Sequence, residues 1–106
     1  MSAVDGAAWP SGPWTGFYQR QGRKHQQDLE LTFDGGVIRG GGWDDVGEFV
    51  LKGSYDESSG EARWTKVYDK DRKLTCRGFR DGKGIWGTWS VEGHQGEGFH
   101  IWPVGA

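Results

Sequence analysis

The sequence predicts an all-β fold: a single antiparallel up-and-down β-barrel of about eight short strands, with no substantial helix. Three observations carry this. Among 106 residues there are 20 glycines together with seven Trp, five Phe and three Tyr. Glycine runs near 7% in ordinary proteins, and a disordered glycine-rich chain would lack such aromatic content. Short runs rich in aromatic and β-branched residues alternate with Gly, Asp and Ser clusters, the pattern of strands joined by turns. No stretch of ten residues has helical period, and "RQGRKHQQDLE", the nearest to one, has no apolar stripe. Without crossovers the strands must pair antiparallel, and closure removes the exposed edges that a long meander would leave.

The elements follow in order. Residues 1–13 are small, contain Gly and Pro and have no period, which predicts a flexible N-terminal arm with Trp9 as its one anchor; residues 14–106 form the barrel domain. The predicted strands are "WTGFYQ" (14–19), "DLELTF" (28–33), "VIRGGGW" (37–43), "EFVLKGSY" (48–55), "EARWTKVY" (61–68), "KLTCRGFR" (73–80), "GIWGTWS" (84–90) and "GFHIWP" (98–103). "DGG" at 34–36 and "DGKG" at 81–84 supply glycine where a hairpin turn needs positive φ. Gly40 to Gly42 read as a place of close backbone approach, and Asp44 to Gly47 as a β-turn. That stretch lacks the G-x-G-x-x-G spacing and following helix of a phosphate loop, and the alternating oxygen ligands of a calcium loop.

Strand alternation separates inside from outside. Leu29, Leu31 and Phe33 oppose Asp28, Glu30 and Thr32, while Phe49, Leu51, Gly53 and Tyr55 oppose Glu48, Lys52 and Ser54. In 61–68, Trp64 and Tyr68 take Lys66 inward with them. An interior lysine between aromatics is costly unless paired. It marks either an anion or cation–π site in a cavity, or a side chain that reaches the rim, or a bulge that reverses the alternation. In 84–90 and 98–103 a large ring points outward whichever face is internal. Trp86, His100 and Trp102, joined by Trp14 or Phe17 once the last strand meets the first, form a candidate interface, most simply of a two-fold dimer. The alternative is that Trp9 and Pro10 cover this patch within one chain.

The short meander strands, the Trp-Thr-Gly opening at 14–16 and the strand ends "GSY" and "GTW" resemble the avidin and streptavidin group, and more distantly the lipocalins. The resemblance spans residues 14–103 as a pattern. It implies a small barrel that takes a ligand at its open end; no binding residue transfers position by position.

Other chemistries find little support. Thirteen basic and fifteen acidic residues give a net charge of −2, so no overall field draws nucleic acid or anionic lipid. Basic residues do cluster at Arg20, Arg23, Lys24 and His25 and again at Lys70, Arg72, Lys73, Arg77, Arg80 and Lys83, but Asp69, Asp71 and Asp81 intersperse them. The three histidines have no metal-binding spacing, no serine or cysteine sits in a nucleophile motif, and the sequence nominates neither a cofactor nor a metal. Cys76, the single cysteine, fits a reducing compartment, and no apolar run reaches membrane-spanning length, which together predict a cytoplasmic protein. The leading expectation is a non-catalytic barrel whose open end binds a small ligand, lined by Tyr55, Trp64, Lys66, Tyr68 and Trp89. A filled-core barrel that acts as a homo-oligomer through its outer aromatics is the alternative. A carbohydrate- or single-stranded nucleic-acid-binding module is a third reading.

Overall fold

The computed structural model describes residues 9–105. Eight strands follow one another around a closed antiparallel barrel: β1 (Gly12–Arg20), β2 (Arg23–Asp34), β3 (Val37–Asp44), β4 (Glu48–Asp56), β5 (Glu61–Asp69), β6 (Arg72–Asp81), β7 (Gly84–Val91) and β8 (His94–Pro103). Each strand pairs with its neighbour in sequence, and β1 returns to β8 in the register Trp14↔Pro103 to Tyr18↔Phe99. The predicted architecture is therefore the observed one. Among the described residues no helix is long and apolar enough to cross a membrane.

Two elements are longer than expected. β2 begins at Arg23, five residues before the first predicted position, because Gln21 and Gly22 adopt positive φ (54° and 77°) and fold β1 and β2 into a tight hairpin. "RQGRKHQQ" is thus turn and strand, with Phe17↔Gln26 and Tyr18↔His25 paired across it. β8 likewise begins at His94, after a Glu92–Gly93 turn. The predicted turn at Asp44 to Gly47 is present: the Asp44 amide donates to the Gly47 carbonyl, and Asp44 Oδ1 accepts from Val46 and Gly47.

The glycines of β3 let the wall coil tightly. A Cβ at Gly42 would lie 1.9 Å from the Asp28 carbonyl oxygen, and one at Gly40 would lie 2.1 Å from that of Glu30. Only a residue without a side chain permits that approach.

The interior carries the apolar faces predicted for β2, β4 and β5, with Phe33 and Tyr55 only partly buried, and adds Ile38 and the Ile85 and Phe99/Ile101 faces of β7 and β8 that alternation left open. Leu29, Leu31, Ile38, Phe49, Leu51, Ala62, Trp64, Cys76, Ile85, Phe99 and Ile101 are buried. One end is stoppered by aromatics. Trp9 is only 2% exposed; its indole N–H donates to the Gly84 carbonyl, and its ring packs on Phe33 and Tyr55 with the Arg80 guanidinium 4.3 Å above it. Trp14, 1% exposed, lies beside Phe33 and donates to the Pro10 carbonyl. Trp9 thus packs into the barrel end and does not lie on the Trp86/Trp102 surface. Residues 1–8 of the predicted arm fall outside the described residues.

Candidate functional site

The other end of the barrel is polar, and Lys66 is its centre. The alternation of β5 holds, with the only irregularity of its β6 pairing falling later, between Val67 and Asp69. Lys66 is therefore carried inward and is 3% exposed. Its ammonium donates to Asp44 Oδ2 at 2.7 Å and Gln27 Oε1 at 3.3 Å. The rings of Phe49, Tyr18 and Tyr68 stand 4.2, 4.8 and 5.2 Å from the nitrogen. A buried cation is tolerable only when paired and hydrogen-bonded, and the aromatic faces add cation–π attraction.

The partners come from the segment that looked like a plain corner. Gln27 and Asp44 are direct cross-strand neighbours on β2 and β3, both inward. The Asp44 side chain is fully buried, and each of its oxygens has two donors: Val46 and Gly47 amides on Oδ1, Lys66 and the Tyr68 hydroxyl (2.5 Å) on Oδ2. One carboxylate thus fixes the β3–β4 turn and neutralises the interior cation. Its acceptor capacity is fully used.

A second layer lies toward solvent. Asp45 accepts from the Tyr18 hydroxyl and pairs with His25 Nδ1 at 2.9 Å and Arg20 at 3.3 Å, while His25 stacks on Tyr18. The Tyr18 hydroxyl bond, with His25 and Arg20 behind it, holds the Asp45 carboxyl below the ordinary carboxylate range. Burial first, and then the bonds to Asp45 and Asp44, push the Tyr18 and Tyr68 hydroxyls above the usual tyrosine range. Burial alone raises the Cys76 thiol to about 12. Such groups hold protons tightly. All four acceptor positions of the Asp44 carboxylate are used, whereas the Asp45 side chain stays partly open to solvent.

The expected ligand-lining residues do not form one chamber. Trp64, Lys66 and Trp89 share an enclosed space of about 10 Å³ with Tyr18, Gln27 and Cys76, the volume of a single water. Trp64 packs edge-on against Phe99, and the Trp89 indole N–H donates to the Gln19 carbonyl. Tyr68 sits at the rim above Asp44. Tyr55 is at the opposite end, against Trp9 and Phe33. Outside the rim, Tyr68 and Trp89 reach an open groove of about 870 Å³ that Lys70, Arg72 and Lys73 also border.

Of the expected interface residues, Trp86, His100 and Trp102 lie on the outer face, whereas Trp14 points into the core. On the outer face of the same strand stands Phe17, whose ring meets His100 and Trp102 at 6.1 and 6.3 Å. The registers place Phe79, Trp86, His100 and Phe17 directly opposite one another across β6, β7, β8 and β1, an unbroken aromatic row. Trp86 and Phe79 are 54% and 45% exposed. Arg77 stands over Phe79 and Lys24 over Phe17 at the two ends. Several of the basic residues are paired with acids: Arg20 with Asp45, Arg72 with Asp69 and Arg77 with Glu61. His94 and His100 sit six positions apart along β8.

Gln27, Asp44, Tyr18, Asp45 and Phe79 were not singled out by sequence. Extending the inward parity of β2 back from Leu29 nominates Gln27, and extending that of β3 forward from Gly42 nominates Asp44; the buried lysine is the signal to do so. The closed eight-stranded antiparallel barrel is compatible with the calycin-type architecture that the sequence resembles. No protein-family model, curated protein or solved structure matches the chain.

Proposed function

We propose that this chain is a non-catalytic interaction module: a filled-core barrel that works through its outer surface and forms a homodimer across the Phe79–Trp86–His100–Phe17 row. The carrying observation is the interior, where the space shared by Trp64, Lys66 and Trp89 is about 10 Å³ and one barrel end is closed by Trp9 and Trp14. So little room beside the inward polar groups favours a barrel that presents its chemistry outside. The row supplies it, because contiguous exposed rings of this kind are uncommon on monomer surfaces, and a two-fold axis through them would bury both copies symmetrically. Trp102 extends the patch on the side away from Arg77. A reducing, cytoplasmic setting accords with one buried thiol and no second cysteine.

Sedimentation velocity tests this reading. The wild type is expected to run as a dimer, and Trp86→Ala and Trp102→Ala as folded monomers. A wild type that stays monomeric up to the highest soluble concentration removes the dimer.

One observation favours a second reading. The open groove beside Tyr68 and Trp89 is large enough for a small molecule, so ligand binding at the open end would occur on the rim rather than inside. A metabolite that raises the melting temperature of the wild type but not of Trp89→Ala would support it.

A further inference from the structure

The aromatic row occupies β6, β7, β8 and β1. On the opposite wall, the outer face of β2, β3 and β4 carries another exposed indole, Trp43, 60% exposed. Its direct cross-strand neighbours are Asp28 on β2 and Glu48 on β4. The adjacent row on the same face is Glu30, Gly41 and Val50. Gly41 has no side chain, so the surface dips beside the indole, and these six residues line an open groove.

Two features of this groove point to a cationic partner. The first is an excess of carboxylates: Asp28, Glu30 and Glu48 line the groove against one cation, Arg39, which pairs with none of them. Asp28 accepts only from neutral donors, Thr15 Oγ1 at 2.9 Å and Gln26 Nε2 at 3.3 Å. Among the described residues no lysine or arginine pairs with Asp28, Glu30 or Glu48. Elsewhere on the surface Glu61, Asp69 and Asp45 each have an arginine partner. The second is an indole without a cation. Phe17, Phe79 and Trp9 each have a lysine or arginine over the ring, whereas among the described residues Trp43, flanked by carboxylates on both sides, has none.

We propose that this groove docks a basic, extended segment of a partner protein, with an arginine seated on Trp43 between Asp28 and Glu48. Tryptophan is the best ring for a cation, and the planar guanidinium can stack on the indole while its edges donate to carboxylates on either side. Val50 and the dip at Gly41 receive the aliphatic part of the segment. The carboxylates repel nucleic acid. The site is independent of the dimer row, and a dimer formed there leaves it open.

The experiment uses the full chain and a fluorescently labelled nona-arginine peptide, with nona-lysine and cellohexaose as comparison probes. Anisotropy measures affinity, and two-dimensional NMR follows the Trp43 indole N–H. The expected result is saturable nona-arginine binding that shifts the Trp43 signal, weakens with salt and exceeds nona-lysine binding. Trp43→Ala and Glu48→Gln are each expected to lower affinity about fivefold or more, and Trp86→Ala to leave it unchanged. These substitutions lie on the exposed face, so unchanged melting temperatures confirm that the variants fold. Nona-arginine binding that ignores Trp43→Ala overturns the proposal, as does no binding at all. So does a Trp43 shift with cellohexaose alone, which would make the groove a sugar platform.

Discussion

Replacing Asp44 by Asn tests the polar end of the barrel most sharply. Asn keeps a carbonyl oxygen for the Val46 and Gly47 amides, so the turn survives, while the charge and the acceptor that Oδ2 offers Lys66 and Tyr68 are lost. Lys66, 3% exposed, then has Gln27 and three ring faces but no anion. Removing one member of a buried ion pair costs about 3–5 kcal/mol. A domain of this size has roughly 5–15 kcal/mol in all. At roughly 4 °C per kcal/mol the melting temperature should fall by about 12–20 °C. Lys66→Met should cost less, about 1–3 kcal/mol, because the Asp44 carboxylate retains the Tyr68 hydroxyl and two amides. The double variant should be more stable than Asp44→Asn alone, with a coupling of at least about 2 kcal/mol in urea unfolding followed by tryptophan fluorescence. A loss below about 1 kcal/mol at pH 7, or a double variant no better than Asp44→Asn, would refute the reasoning.

Four further outcomes follow from the same geometry. Trp9→Ala should cost about 3–5 kcal/mol in denaturant unfolding, since it empties the stoppered end between Phe33, Tyr55 and Arg80. Gly42→Ala should cost at least the upper part of the roughly 1–3 kcal/mol range of overpacking, because its Cβ meets the Asp28 carbonyl at 1.9 Å and backbone must move. The raised Tyr18 and Tyr68 hydroxyls contribute stability that is complete below the unfolded tyrosine value near 10 and is lost as pH rises beyond it. Each should steepen alkaline destabilisation by about 1.4 kcal/mol per pH unit there, and Tyr68→Phe should remove one share, as read from urea midpoints between pH 9 and 11.5. Cys76 should resist thiol reagents in the native protein at pH 8 and react at once in denaturant.

The sequence carried the barrel because its code is local: period-two alternation and turn residues at close intervals leave few topologies once helices are absent. The same alternation pointed Lys66 inward but left open a bulge or a reach to the rim, which the unbroken β5 pairing through Lys66 and its burial exclude. The lysine's counter-ion was not legible, because Asp44 belongs to a turn by its local chemistry and becomes a core residue only through the β2–β3 register. Trp14 was assigned to the surface by its nearness to β8, although its own parity with Gly16 and Tyr18 points inward. The aromatic row depends on three registers at once, and only Trp86, His100 and part of the β1 contribution could be read without them. Likewise, nothing in "RGGGWDDVGEF" reveals that Asp28 and Glu48 flank Trp43.

The central claim is that the barrel is filled and its binding surfaces are external. High-resolution crystal density inside the wall, between Lys66, Gln27, Trp64 and Cys76, tests it most directly. The account predicts at most one ordered water there, touching Lys66 or Gln27. Density for a bound molecule, or a continuous solvent channel from the Tyr68 rim to Trp64, would contradict it.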